Sequence, residues 1–141
     1  MVESQIRKLI QTISIQTRKS YSFELRKLGL YIGQELALSY LFKKDGITQS
    51  ELKEMIGSEA STVSNMLKKL EGDSIIVRRH EDPDSRISRV YLTDKGRQLE
   101  QPIKDMWKKH EDKMLEGIPP EELMLLRRIL KEMSDNLSVE N

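Results

Sequence analysis

Between Ile47 and Leu92 the spacing of apolar residues changes from helical to alternating, and few architectures accommodate that succession. Ile47-Thr48-Gln49-Ser50-Glu51-Leu52 reads as a helix start, with Thr48 as N-cap, Glu51 completing a capping box and Ile47 stapled onto Leu52. Leu52, Met55 and Ile56 face inward before Gly57 ends this short helix. A second helix begins at Ser58 or Glu59 and runs to about Leu70, with Ala60, Val63, Met66, Leu67 and Leu70 on one side. Two short helices joined through a turn containing Gly make a helix-turn-helix by spacing. The period then drops to two. Ile75-Ile76-Val77-Arg78-Arg79 is β-branched, and Ile87-Ser88-Arg89-Val90-Tyr91-Leu92 places Val90 and Leu92 on one face. Asp82-Pro83-Asp84-Ser85 between them is a turn with Asp first and Pro second. The prediction is a mainly α chain with a small β-hairpin wing, its winged helix-turn-helix spanning residues 46–98.

Helical periodicity dominates both flanks. Ile6, Leu9, Ile10, Ile13, Thr17, Tyr21, Leu25 and Leu28 fall mostly at spacings of three and four and stop at Gly29, where a left-handed cap is cheap. Leu36, Leu38, Tyr40, Leu41 and Phe42 make a second helix that Lys43 and Lys44 close against the dipole. Leu99, Ile103, Met106, Trp107, His110 and Met114 give another stripe. Ile118-Pro119-Pro120-Glu121-Glu122 then opens a last helix, continued by Leu123, Leu126, Leu130, Met133 and Leu137. Leu125 and Ile129 widen that face beyond what one neighbour covers. Residues 1–45 and 99–141 are therefore expected to be a helical dimerisation region, with Ile6, Ile10, Ile13, Leu126, Leu130 and Met133 at the interface of a homodimer. Ordinary core packing is the competing reading of the same stripes.

Several chemistries are excluded at this stage. The chain has no cysteine, which removes disulfides, thiolate zinc sites and thiol sensing. His80 and His110 have no His partner at helical spacing, so no metal is expected. No glycine pattern cradles phosphate, and no motif places a nucleophile with a base or a carboxylate pair. Neither an enzyme nor a cofactor is expected, and no catalytic residue is assigned. No apolar run reaches the ~18 residues of a membrane span, and MVESQIRK lacks a signal-peptide core. A cytoplasmic protein of one domain, with no membrane partner, is the expectation. Net charge is +1, and residues 46–98 carry 9 basic and 9 acidic side chains. An anion-binding surface in that stretch must therefore come from placement.

Such placement is visible. With Val63, Leu67 and Leu70 turned inward, the second short helix shows Ser61, Asn65 and Lys68 outward, flanked by Thr62, Ser64 and Lys69, with no acid in residues 61–69. Short hydroxyls admit close approach to a groove, and Asn65 has the paired donor and acceptor that match adenine. Lys68 and Lys69 stand where phosphates would lie. On the wing, Arg86 near the turn is a cation suited to a narrow minor groove, with Arg78, Arg79 and Arg89 on the flanking strands. Asp84 is expected to orient the Arg86 guanidinium through a charge-assisted hydrogen bond. A double-stranded DNA partner follows. From the residues alone, a winged helix that binds protein without reading DNA stays open as the alternative.

The stretch from Ile47 to Gly96 resembles the multiple antibiotic resistance regulator (MarR) family of winged-helix transcription factors. The resemblance rests on Ile47-Thr48-Gln49-Ser50-Glu51-Leu52, Ser61-Thr62-Val63-Ser64-Asn65, Leu70-Glu71, Asp82-Pro83-Asp84-Ser85-Arg86 and Val90-Tyr91-Leu92-Thr93-Asp94-Lys95-Gly96. It implies six helices plus a wing, and an obligate dimer built from the first and last helices with part of the fifth. The helix of residues 61–69 would lie in the major groove, Arg86 in the minor groove, and Thr48 and Gln49 against the DNA backbone. The family consists mostly of repressors, many released by small aromatic or phenolic effectors. Such an effector would sit near Arg18, Tyr21, Tyr31, Tyr40, Met106 and Trp107, residues that serve equally well as close-packed core. Three positions depart from the family pattern. Ser74 stands where Gly is common, so that Gly72 is expected to supply the turn. Asn65 replaces a frequent Arg, which points to a more A·T-inclined preference. Pro102 is expected to kink the fifth helix about two turns in.

Overall fold

The computed structural model describes residues 1–81 and 86–138. Among them the order is α1 (Val2–Lys27), α2 (Gln34–Lys43), β1 (Ile47–Thr48), α3 (Gln49–Ile56), α4 (Ala60–Gly72), β2 (Ile76–His80), β3 (Ser88–Leu92), α5 (Asp94–Arg97), α6 (Glu100–Met114) and α7 (Pro120–Ser138). The mainly α chain with a small wing is present. The expected turn Asp82-Pro83-Asp84-Ser85 lies outside the described residues. The chain divides into two compact units, Met1–Trp107 and Lys108–Asn141. No helix among the described residues is long and apolar enough to cross a membrane.

In the first unit, local chemistry sets the helix ends. Thr48 Oγ1 accepts the Glu51 N–H at 3.1 Å and donates to Glu51 Oε1 at 3.0 Å, closing the cap of α3. Gly57, with φ 75°, stops that helix. The inner face of α4 is then fixed by its period: Val63, Met66, Leu67 and Leu70 are buried. They join Leu25, Leu38, Leu41, Ile47, Leu52, Ile76, Val90 and Ile103 in one core. Full burial of each such side chain contributes about 1.5–3 kcal/mol, so the core dictates which face of α4 is left to solvent. Met55 and Ala60, expected inward, are exposed.

The sheet has three strands rather than the two of a hairpin. β2 pairs antiparallel with β3, from Ile76↔Leu92 to His80↔Ser88. β1 lies on the other edge of β3, with Ile47 opposite Val90. Two residues are too few for alternation to show in sequence, and Ile47 was legible only as a staple.

The join from α4 to the wing corrects one expectation. Ile75 N–H bonds the Leu70 carbonyl at 2.9 Å and Ser74 N–H the Glu71 carbonyl at 3.0 Å, the two bonds of a Schellman motif. Its left-handed position is Ser74, with φ 62°, and not Gly72, which is the last residue of α4. α1 ends with the same pair of bonds around Gly29, where the left-handed residue is a glycine. A side chain in this region carries a cost of about 1–2 kcal/mol, partly offset by the lower chain entropy of serine over glycine when unfolded. Ser74→Gly should therefore stabilise the protein by up to about 1 kcal/mol, read as a higher denaturation midpoint at unchanged m-value. A lower midpoint would mean that the serine side chain stabilises the turn.

Pro102 is the second correction. It occupies the first turn of α6, where its missing N–H would have no helical acceptor in any case. The helix is interrupted ahead of it, at Gln98 and Leu99, so the one-turn helix α5 stands apart and the mid-helix kink does not arise. Thr93 caps α5 by accepting the Gly96 N–H at 3.0 Å, and its hydroxyl also lies 2.7 Å from the Ser74 carbonyl and 3.0 Å from that of Ile75. The Thr-x-x-Gly element thus fastens the end of the wing to the turn that follows α4.

In the second unit, Pro120 is the first residue of α7, as expected, and no residue of α7 is buried.

Candidate nucleic-acid interface

Ser61, Thr62, Asn65, Lys68 and Lys69 are exposed on the outer face of α4, and Ser64 is half-buried. Lys69 Nζ lies 3.4 Å from Asp73, a surface pair worth at most about 1 kcal/mol that does not prevent it from turning to a phosphate. Beside this face runs a shallow groove of about 180 Å³ lined by Gln49, Ser50, Lys53, Ala60 and Val63. Lys53 is a cation that the sequence reading missed, although its place beside inward-facing Leu52 marks it as outward.

The wing arginines divide into two kinds. Arg86 is exposed, and Arg79 is exposed with its guanidinium 5.5 Å from the centre of the Tyr91 ring. Arg89 is paired with Glu81 and donates to the Gly46 carbonyl at 2.8 Å. Arg78 is half-buried and donates to Glu71 Oε1 at 2.9 Å and to Gln49 Oε1 at 3.3 Å. The Arg78 guanidinium holds the Glu71 carboxyl below the usual carboxylate range. Asp84, expected to orient Arg86, lies outside the described residues. The Thr48 hydroxyl is engaged in the α3 cap, and the Gln49 side-chain oxygen Oε1 accepts from Arg78.

The six residues assigned to an effector do not share one environment. Met106 is buried in the core, and Tyr21, Tyr40 and Trp107 are half-buried against it. The Tyr40 hydroxyl donates to the Met55 carbonyl at 2.9 Å. Arg18 and Tyr31 are exposed. Next to them are two side chains that sequence did not single out, Gln34 and Glu35, the buried polar residues among those described. Gln34 Oε1 accepts the Tyr31 N–H at 2.9 Å, and both Glu35 oxygens accept the Gly33 N–H, at 3.1 and 2.9 Å. Burial pushes the Glu35 carboxyl up, opposed by that N–H and by the positive charge of Arg18. In sequence the pair looks like an ordinary polar first turn; only packing reveals it.

Of the residues assigned to dimerisation, Ile6, Ile10 and Ile13 are exposed on α1, each by more than two-fifths. On α7, Leu130 is exposed while Leu126 and Met133 are half-buried.

A helix with a free polar face, preceded by a capped helix and followed by a cationic wing, defines a winged helix-turn-helix protein. The MarR family model matches residues 30–88. The uncharacterised HTH-type transcriptional regulator YdgJ of Bacillus subtilis is 33% identical over 101 residues, which span 72% of this chain and 62% of YdgJ. A MarR-family transcriptional regulator from Silicibacter pomeroyi is 30% identical, with a TM-score of 0.79 over 96% of this chain and 92% of that one. The MepR–DNA complex of S. aureus shares the fold, with a TM-score of 0.85, 24% identity and coverage of 92% and 96%. The chain belongs to the MarR family of transcriptional regulators.

Proposed function

We propose that this protein is a dimeric, sequence-specific DNA-binding regulator, a repressor that sits on a pseudo-palindromic operator and is released by a small ligand. The observation that carries the reading is the outer face of α4: a row of exposed hydroxyls, an amide and two lysines with no acid among residues 61–69, held outward by four buried apolar residues. A helix of this kind enters a major groove with Ser61, Thr62 and Asn65 toward base edges and Lys68 and Lys69 toward phosphates. Lys53 flanks it, and Arg86 reaches the adjacent minor groove. The DNA complex of MepR, a protein of the same fold, supports this docking. The exposed isoleucines of α1 and the absence of any buried residue on α7 support a second copy as partner. Release by a small aromatic or phenolic ligand is supported by the polar pair Gln34 and Glu35 beside Arg18 and Tyr31.

Selection of bound DNA from random fragments tests the reading. The expected result is an enriched inverted repeat with half-sites about one helical turn apart, ~34–36 Å; recovery of no enriched sequence would overturn it. The same assay separates the role of Asn65. In Asn65→Ala the preference at one position per half-site should flatten, with a loss of about 1–3 kcal/mol of discrimination there and the other positions unchanged. An unaltered profile would remove Asn65 from the reading residues.

A further inference from the structure

Three elements of the interface meet at one guanidinium. Arg78 lies on β2 and its side chain is only 21% exposed. It shares a sheet face with Ile76, opposite buried Val90, so the alternation of the strand turns it toward the protein. There it donates to Glu71 in the last full turn of α4 and to Gln49 in the first turn of α3. Arg78 follows Glu71 by seven positions, and the chain between them passes through the left-handed turn at Ser74.

We infer that Arg78 is a positioning residue and not a DNA contact: bridging Glu71 and Gln49, it fixes the angle between the helix that enters the major groove and the wing that carries Arg86. The assignment rests on the DNA-binding reading and specifies how that surface is kept in shape. A phosphate contact needs a cation free to face the duplex, whereas this one is committed to a carboxylate and an amide oxygen. A Schellman turn fixes the local backbone at one point only. Thr93 fastens the end of β3 to that same turn, and the bridge adds the attachment that ties the middle of β2 to the side chains of α3 and α4 themselves. The arrangement also accounts for an acid so near a surface built for an anion.

The two roles differ in sign for one variant. If Arg78 met a phosphate, Glu71→Gln would release it and remove a negative charge from the interface, so binding would hold or tighten. If Arg78 positions the wing, Glu71→Gln weakens binding, by about three- to tenfold, while the slope of log affinity against log salt stays that of wild type because no phosphate contact is lost. Arg78→Gln should weaken binding to a similar degree at the same slope, and the double variant should be no worse than either single one. In an Arg86→Ala background the Glu71→Gln effect should shrink below twofold, since there is no longer a wing cation to aim. Glu71 is two-fifths exposed, so its variant keeps the fold and decides the matter even where Arg78→Gln does not. All are measured on DNA recovered by selection with the wild-type protein. Wild-type binding with Glu71→Gln unimpaired, or a slope reduced by about one per protomer in Arg78→Gln, would overturn the assignment alone. Failure of wild type to retain any DNA overturns the DNA-binding reading and this assignment with it.

Discussion

Replacing Arg86 with alanine is expected to weaken operator binding by about thirtyfold or more and across all sequences, while leaving the melting temperature unchanged. The loss is broad because a guanidinium in the minor groove answers to groove potential and width, which many A·T-containing sequences share. It is large because the proposed twofold dimer would lose two such contacts at once, each of about 1–2 kcal/mol at a site where the DNA field is most negative. Folding is spared because Arg86 is exposed, and surface substitutions of that kind stay within about 0.5 kcal/mol. Electrostatics gives an independent check. With roughly six to ten phosphates neutralised per dimer, log affinity should fall against log salt with a slope of about −5 to −9 in wild type. The variant should be weaker at every salt concentration and somewhat less steep. Gel shifts with the selected operator read both quantities. Affinity within twofold of wild type would mean that the wing does not enter the groove, leaving α4 to carry recognition alone.

How far the residues alone could lead depends on the range over which each feature is determined. The caps of α1 and α3 and the inward face of α4 were legible because a turn or a helix period is settled by neighbours within four residues. The outer face of α4 followed from the inner one by geometry. Arg78 was legible as a wing cation, and its alternation with Ile76 already carried the inward turn, but its partners Glu71 and Gln49 come from two other elements and appear only in the packed unit. β1 was invisible because its existence depends on β3, more than forty residues away. Pro102 led to a kink because the helix was assumed continuous, and nothing local at Gln98 and Leu99 announces the break. The polar pair at Gln34 and Glu35 became apparent only through burial, a property of the packed unit. A dimer interface depends on a second chain, so the exposed isoleucines of α1 carry none of its geometry.

The most severe effect on stability is expected at Gly96. A Cβ at this position would stand 2.3 Å from the Ile75 carbonyl oxygen and 3.2 Å from Leu92 Cδ2. Gly96 has no positive φ, so the restriction is one of space and not of backbone conformation. A flexible side chain could swing aside, but here the obstacle is backbone. That carbonyl accepts the Thr93 N–H at 3.0 Å and also has the Thr93 hydroxyl at 3.0 Å. Relief by moving it would break the fastening between the wing and the turn at Ser74; relief by moving α5 would unseat the N-cap of that helix. Either route should cost about 3 kcal/mol or more, at the upper end of overpacking penalties, and lower the melting temperature by roughly 6–12 °C for a chain of this size. Gly72→Ala is the matched control. It too adds one methyl to a glycine, but at the end of α4 where the added Cβ meets nothing within 4 Å, so it should leave stability within about 1 kcal/mol of wild type. Because the strained contact lies between α5 and the Ile75 backbone that joins α4 to β2, the Gly96→Ala protein should also bind DNA more weakly at temperatures where it remains folded, which Gly72→Ala should not. Melting of Gly96→Ala within 2 °C of wild type would show that the Thr-x-x-Gly element is free to shift, and that the wing is not anchored there.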